Sequence, residues 1–153
     1  MSLTTLNNKK MVNLLLADDD MDDCLFFQEA LEELSMAANL STVNDGVQLM
    51  DFLKAAIALP DALFLDLNMP RKSGFECLTE LKDNNSFKEI PIIIFSTSLD
   101  PEVVNKLYNN GAHYYIRKPG DFNILKRVIE EATSRISKNK SQRPERIDFI
   151  IKS

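Results

Sequence analysis

Acidic and other reactive side chains stand directly after four short apolar runs of this 153-residue chain. In chain order they are Asp18, Asp19 and Asp20, then Asp66 and Asn68, then Ser96, then Lys118. Several carboxylates brought within a few ångströms of one another repel, so such a group persists only if it binds a cation or takes up protons. If the four runs lie side by side, the chain therefore contains a candidate cation site.

A hard, oxygen-liganded ion is the simplest cation for this group, because no cysteine or histidine stands among the residues that directly follow the four runs. Mg²⁺ prefers carboxylate, carbonyl and water oxygens in octahedral geometry at about 2.0–2.1 Å. The residue types thus predict Mg²⁺ as the cofactor.

A carboxylate, Mg²⁺, a hydroxyl and a lysine are also what is needed to move a phosphoryl group, since catalysis of that reaction is mostly positioning and charge neutralisation. We expect Asp66 to be the nucleophile that accepts the phosphoryl group. Asp19, Asp66 and the backbone carbonyl of Asn68 would hold the ion, and Asp18 would act through water. Lys118 would pair with one phosphoryl oxygen and Ser96 would donate a hydrogen bond to another.

For these side chains to meet, the apolar runs must be neighbouring strands. The runs at residues 11–17, 61–66 and 91–96 are nearly continuous, as in strands buried on both faces, and residues 40–44 and 112–116 are weaker versions. Segments of helical period lie between them. Five β-α repeats predict an α/β fold, a parallel sheet with helices on both faces, whose ligand site lies beyond the carboxyl ends of the strands.

Four segments in the chain, LLADDD, FLDLNMP, IIIFSTS and YYIRKP, resemble the motifs of response-regulator receiver domains. The resemblance covers roughly residues 13–137, and the spacing also matches, with Ser96 30 residues after Asp66 and Lys118 22 residues after Ser96. It implies a CheY-like, flavodoxin-like fold: a doubly wound, five-stranded parallel sheet of order 2-1-3-4-5. It also implies a cis peptide between Lys118 and Pro119.

The resemblance further implies a signalling switch and not a turnover enzyme. A sensor histidine kinase or phosphotransfer protein would phosphorylate Asp66. The hydroxyl of Ser96 would then swing toward the phosphoryl group, and Tyr115 would turn inward behind it. The face made by the fourth helix, fifth strand and fifth helix would change shape and engage an unknown downstream protein, and the same face is open to homodimer formation.

Two other classes of function compete with this hypothesis. A phosphatase of the haloacid-dehalogenase type would want a second aspartate where Asn68 stands, and a flavin protein would want a phosphate-binding loop where the chain has Asp18 to Asp20. The main alternative is a receiver-fold adaptor that works without phosphorylation. Such adaptors usually lack one of the acidic, acceptor or lysine positions, and this chain has all of them.

Composition narrows the class of protein. The net charge of −5 disfavours direct binding to nucleic acid, which more often uses a basic face. No apolar stretch approaches the ~20 residues of a membrane span, and the N-terminus lacks the pattern of a secretory signal, so we expect a cytoplasmic protein without membrane attachment. Cys24 and Cys77 belong to no CxxC pair and are expected in or near the core.

We expect three segments in the chain: a flexible N-terminus at residues 1–10, a receiver domain at residues 11–137, and a C-terminal tail at residues 138–153 with no output domain. The tail ends in an apolar run, residues 147–151, which fits a docked or partner-binding strand as well as a disordered end. His113, the only histidine, is interpreted as a structural strand residue and not as a phosphorelay or general-base group.

Overall fold

The computed structural model describes residues 11–153, so the predicted flexible segment at residues 1–10 lies outside the described residues. Strands and helices alternate from the start. In chain order they are β1 (Val12–Ala17), α1 (Met21–Glu33), β2 (Ala38–Val43), α2 (Gly46–Ala55), β3 (Ala62–Leu65), α3 (Gly74–Lys82), β4 (Ile92–Ser96), α4 (Pro101–Asn109), β5 (Tyr114–Arg117), α5 (Phe122–Asn139), a 3₁₀ turn (Arg146–Asp148) and β6 (Ile150–Ile151).

The strands form one parallel sheet in the order β2-β1-β3-β4-β5-β6. This confirms the predicted 2-1-3-4-5 order and adds a sixth strand. β1, β3 and β4 are buried nearly throughout, whereas β2 at one edge is largely half-buried or exposed. The difference explains why the central strands are continuous apolar runs and the sequence signal of β2 is weak.

Alternate residues of each strand feed two apolar layers. Leu15 points into a layer with α2, α3 and α4, whereas Leu14 and Leu16 point into a layer with α1 and α5. Phe27 of α1 packs edge-on against Phe64 of β3, with ring centroids 4.9 Å apart. The sheet is therefore held rigidly between helices, and its carboxyl edge is left to the loops.

Side-chain caps set the start of each helix, and so the length of the loops at this edge. Asp20 caps α1, because its side chain accepts hydrogen bonds from the backbone N–H groups of Asp22 and Asp23. Asp45, Ser73, Asp100 and Asp121 cap the next four helices in the same way. Such a cap typically contributes about 1 kcal/mol and ends the preceding loop at a defined residue.

The C-terminal tail is docked, which decides between the two possibilities left open by its sequence. After α5 the chain contacts α4 and ends beside β5 as the parallel strand β6, with Ile150 opposite Tyr115 and Ile151 opposite Ile116. Phe149 and Ile151 are buried there. Within residues 11–153, no helix is long and apolar enough to cross a bilayer.

Candidate functional site

The sheet brings Asp18, Asp19 and Asp66 together. β1 and β3 are paired up to Ala17 and Leu65, so the residues that follow them lie side by side, and the Asp66 N–H donates to the Ala17 carbonyl at 2.9 Å. One carboxylate oxygen from each aspartate lies within 4.8 Å of the other two. Asp18 and Asp66 are buried, while Asp19 is exposed. The three carboxylates form an acidic pocket that is open to solvent on the Asp19 side and could hold a metal ion.

Backbone contacts fix the orientation of Asp18. Its Oδ1 accepts a hydrogen bond from the Asp20 N–H at 3.0 Å. Its carbonyl accepts from the Asn44 side chain at 3.2 Å and from the Cys24 thiol at 3.5 Å. The other carboxylate oxygen, Oδ2, is buried against Lys118. This carboxylate is thus held in place by the start of α1, and the free cysteine beside it has a packing role.

Burial raises the pKa of the Asp66 carboxyl to about 6, because the ionised form loses its hydration. The ammonium of Lys118 and the N–H of Asn68 oppose this change, while the charges of Asp18 and Asp19 add to it. Burial also raises the pKa of Asp18. The pocket holds more negative charge than its one lysine balances, which is the electrostatic situation that a divalent cation relieves.

Lys118 reaches into the pocket from the end of β5. Its Nζ lies 2.8 Å from Asp18 Oδ2, 2.9 Å from Asp23 Oδ2 and 3.8 Å from Asp66 Oδ1. Burial acts to lower the pKa of Lys118, but the hydrogen bonds with Asp18 and Asp23 outweigh it, so the pKa is raised. The lysine stays charged beside the candidate nucleophile.

Asp23 is a site residue that sequence reasoning missed. It lies in the first turn of α1, where an acidic residue is expected for the helix dipole alone. Its ion pair joins side chains 95 residues apart. Only the position of α1 relative to β5 reveals this contact.

Ser96 and Tyr115 lie behind the acidic pocket. Ser96 is buried at the end of β4, and its Oγ accepts a hydrogen bond from the Ser98 N–H at 3.3 Å. The ring of Tyr115 is buried too, and its hydroxyl donates to the Ser98 carbonyl. The two side chains are therefore linked through one loop residue. Asn68, by contrast, is exposed at the rim, with its N–H turned toward Asp66.

Gly74 is a second residue that sequence reasoning missed. A Cβ at this position would lie 2.2 Å from the Asp66 carbonyl oxygen, because the first turn of α3 packs directly on the loop after β3. The Gly74 N–H also donates to the Leu67 carbonyl at 2.9 Å. A glycine that opens a helix eight residues after Asp66 was the available sequence signal.

One expectation about the site is wrong in this structure. No peptide bond within residues 11–153 is cis, so the Lys118–Pro119 bond is trans. The Lys118 N–H donates to the Ser96 carbonyl at 2.7 Å, and the lysine reaches the pocket from this conformation.

His113 lies away from the pocket, at the opposite end of β5, as its structural interpretation requires. Its Nδ1 accepts from the Ile92 N–H at 3.2 Å, and its Nε2 pairs with the Ser141 carbonyl at 3.0 Å. Burial lowers its pKa to about 4. The ring is therefore neutral at ordinary pH and joins β4 to the C-terminal tail. Cys24 and Cys77 are both free and buried, as predicted.

Comparison with known proteins agrees with this geometry. The family model described as the response regulator receiver domain matches residues 14–130. Response regulator Rcp1 of Synechocystis sp. is 30% identical over 122 residues, covering 76% of this chain and 83% of that protein. A probable methanogenesis regulatory protein, FilR2 of Methanothrix harundinacea, is 29% identical over 122 residues, covering 77% of this chain and 79% of that protein.

Solved structures show the same fold. The phosphorylated cyanobacterial phytochrome response regulator RcpA superposes with a TM-score of 0.75 at 29% identity, covering 82% of this chain and 93% of that one. The Mn²⁺-bound form of Rcp1 gives a TM-score of 0.72 at 29% identity, covering 80% and 92%. One of these two structures is of a phosphorylated protein and the other is of a metal-bound protein.

Proposed function

Because the chain belongs to the response regulator receiver domain family, we propose that it is a phospho-accepting response regulator that takes a phosphoryl group from a sensor histidine kinase or phosphotransfer protein. Asp66 is the acceptor. The observation that carries this proposal is the cluster of Asp18, Asp19 and Asp66, with oxygens within 4.8 Å, and Lys118 Nζ 3.8 Å from Asp66. A receiver domain of this kind is not a turnover enzyme.

The donor set of the pocket fits Mg²⁺. Asp19 and Asp66 would supply carboxylate oxygens, the Asn68 carbonyl would supply a third protein ligand, and Asp18 would act through water. The group is all oxygen, it contains no thiolate or imidazole, and its burial leaves uncompensated negative charge. When bound, Mg²⁺ neutralises charge on the transferring phosphoryl oxygens. The similarity to Rcp1, solved with Mn²⁺, supports a divalent cation of this class.

Phosphoryl transfer then needs only side chains that are held in position around the phosphoryl group. An Oδ of Asp66 bonds to the phosphorus of a phosphohistidine while the phosphorus–nitrogen bond breaks, and the imidazole leaves as it gains a proton from solvent. Lys118, already charged and within 3.8 Å of Asp66 Oδ1, pairs with a phosphoryl oxygen. Ser96 donates its hydroxyl hydrogen to another. Each contact is made with the transferring group and not with the leaving one.

Ser96 and Tyr115 couple phosphorylation in the pocket to a conformational change outside it. Turning the Ser96 hydroxyl toward the phosphoryl group breaks its bond with the Ser98 N–H, and Tyr115 senses the change through the Ser98 carbonyl. The face formed by α4, β5 and α5 then differs between the two states, as a population shift requires. A downstream protein reads that face.

Intact mass spectrometry tests the proposal. The protein is incubated with acetyl phosphate, with Mg²⁺ or with a chelator, and we expect a gain of one phosphoryl group only with Mg²⁺. Asp66→Asn should abolish the gain, whereas Asp51→Asn, an exposed acid on α2, should leave it intact. An equal gain in Asp66→Asn, or no gain in the wild type with Mg²⁺, would refute the proposal.

A further inference from the structure

The C-terminal segment, residues 140–153, covers the face that the proposed switch would change. Its backbone pairs with β5 through the Tyr115 N–H, which donates to the Phe149 carbonyl at 3.0 Å, and through the two residues of β6. The hydroxyl of Ser153 donates to the Arg117 carbonyl at 3.0 Å. The edge of β5 is therefore occupied by the chain itself.

Side chains fasten the same segment to α4. Arg143 lies over the Tyr108 ring, 4.2 Å from its centroid, and donates to the carbonyls of Tyr108 and Ala112. The Tyr108 hydroxyl donates to the Pro144 carbonyl at 2.9 Å. Arg146 donates twice to the Asn105 side chain, at 2.9 and 2.7 Å. These contacts are specific to the sequence of the segment, so its docking is more than the burial of an apolar end.

Phe149 connects the segment to the switch. Its side chain is fully buried, and its ring packs edge-on against Tyr108 at 5.1 Å and against Tyr115 at 6.3 Å between centroids. The Tyr115 hydroxyl is bonded to the Ser98 carbonyl, two residues from Ser96. A continuous path of contacts therefore runs from the end of β4 through Tyr115 to Phe149.

We propose that residues 140–153 are an intramolecular ligand of the α4–β5 face, and that their docking and the phosphorylation of Asp66 strengthen one another through the buried position of Tyr115. This inference rests on the proposed function. If Tyr115 turns out of the core, Phe149 keeps its contact with Tyr108 but loses the second of the two rings against which it packs, so docking depends on the state of Tyr115. Thermodynamic linkage then requires the docked segment to favour the phosphorylated state by the same factor.

The consequence for binding is that a partner meets a composite surface. Ile147 is 85% exposed on the 3₁₀ turn and stands beside Arg146. A protein that reads the phosphorylated state through this face would contact these side chains of the tail instead of a bare strand edge. A second copy of the chain that approached through α4, β5 and α5 would meet them as well.

Hydrogen–deuterium exchange tests the coupling directly. The backbone amides of residues 149–153 are followed in the full-length wild type with Mg²⁺, with and without beryllium fluoride as a stable phosphoryl mimic. We expect exchange to slow by about fivefold or more on addition of the mimic, a coupling at the lower end of the usual range. Tyr115→Phe keeps the ring and loses the bond to Ser98, so it should keep the segment docked and abolish the change.

The effect of tail docking on binding of the phosphoryl mimic is measured with Phe149→Ala, and Ile147→Ala is the matched control. Calorimetry should show beryllium fluoride binding weakened in Phe149→Ala by the same factor and unchanged in the control. If the wild type gains a phosphoryl group but its tail exchanges equally with and without the mimic, the coupling is refuted and the proposed function stands. If the wild type neither gains a phosphoryl group nor binds the mimic, both fail. The wild-type and Tyr115→Phe measurements decide the matter even if Phe149→Ala does not fold.

Discussion

Replacing Asp66 with asparagine is predicted to stabilise the protein when no divalent cation is present. Burial raises the pKa of the Asp66 carboxyl to about 6 from an ordinary 3.8, so between these pH values the folded chain holds more protons than the unfolded one. Stability therefore falls as the pH rises through this window. A shift of about two units corresponds to roughly 3 kcal/mol, at about 1.4 kcal/mol per unit.

Asparagine keeps the shape of the side chain and removes the buried charge. We expect Asp66→Asn to exceed the wild type in free energy of unfolding by about 3 kcal/mol at pH 7.5, which for a domain of this size is roughly 6–12 °C in Tm. The advantage should shrink as the pH falls from about 6 toward 4, because the wild-type carboxyl becomes protonated in the folded state. Mg²⁺ should raise the stability of the wild type more than that of the variant.

Urea denaturation in a chelating buffer from pH 4.5 to 7.5 measures this effect. His113 has the opposite pH dependence, because its lowered pKa of about 4 makes stability rise with pH. The variant and the wild type are therefore compared at each pH, where the contribution of His113 cancels. Asp51→Asn controls for the loss of one exposed acid. The prediction is contradicted if Asp66→Asn is no more stable than the wild type at pH 7.5, or if its advantage is the same at pH 4.5.

Three further predictions concern residues around the pocket and the tail. Gly74→Ala should lower the Tm and slow phosphorylation at least several-fold, because the new Cβ would lie 2.2 Å from the Asp66 carbonyl oxygen. Gly120→Ala is the control and should change neither, because a Cβ at that position has no heavy atom within 4 Å. Asp23→Asn removes an ion pair of Lys118 and a negative charge near the pocket. Single-turnover labelling by anionic acetyl phosphate should therefore become a few-fold faster, with the largest increase in rate at low salt. Equal labelling rates in Asp23→Asn and Asp22→Asn would contradict this prediction. His113 should cost the wild type roughly 3 kcal/mol of stability as the pH falls from 6.5 to about 4, because the unfolded chain takes up a proton there that buried His113 does not. His113→Gln should lack this loss. Parallel urea titrations at pH 4.5 and 7.5 measure the difference, and identical pH dependences of the two proteins would disprove it.

The acidic pocket could be predicted from the sequence because its members directly follow buried strands. Once β1 and β3 are recognised, parallel pairing places Asp18 and Asp66 at one edge without any knowledge of side-chain conformation. The ion pair between Lys118 and Asp23 could not be predicted in this way. It depends on how α1 sits beside β5 and on where a four-carbon side chain ends, and neither leaves a local pattern.

The tail shows a different limit of sequence reasoning. Its apolar run at residues 147–151 indicated that side chains of the tail could be buried. Whether two of these residues form a strand, however, depends on the sheet edge against which they pair. β5 provides that edge, and Tyr108, Tyr115 and the carbonyl of Ala112 contact the tail beside it, all from positions far earlier in the chain. The pattern of apolar residues within the tail gives no information about these contacts, so the docked and the disordered interpretations were equally consistent with the sequence.

The added strand β6 also bears on the solubility of the protein. A sheet edge with unpaired N–H and carbonyl groups is a template for strands of other molecules, and proteins commonly cover such edges to avoid aggregation. β6 covers part of the β5 edge, while the other edge, β2, carries exposed Ser41 and Thr42 beside half-buried positions. A version of the chain cut after α5 would expose β5 together with the apolar surface now under Phe149. It would self-associate and precipitate at concentrations where the full chain remains dispersed.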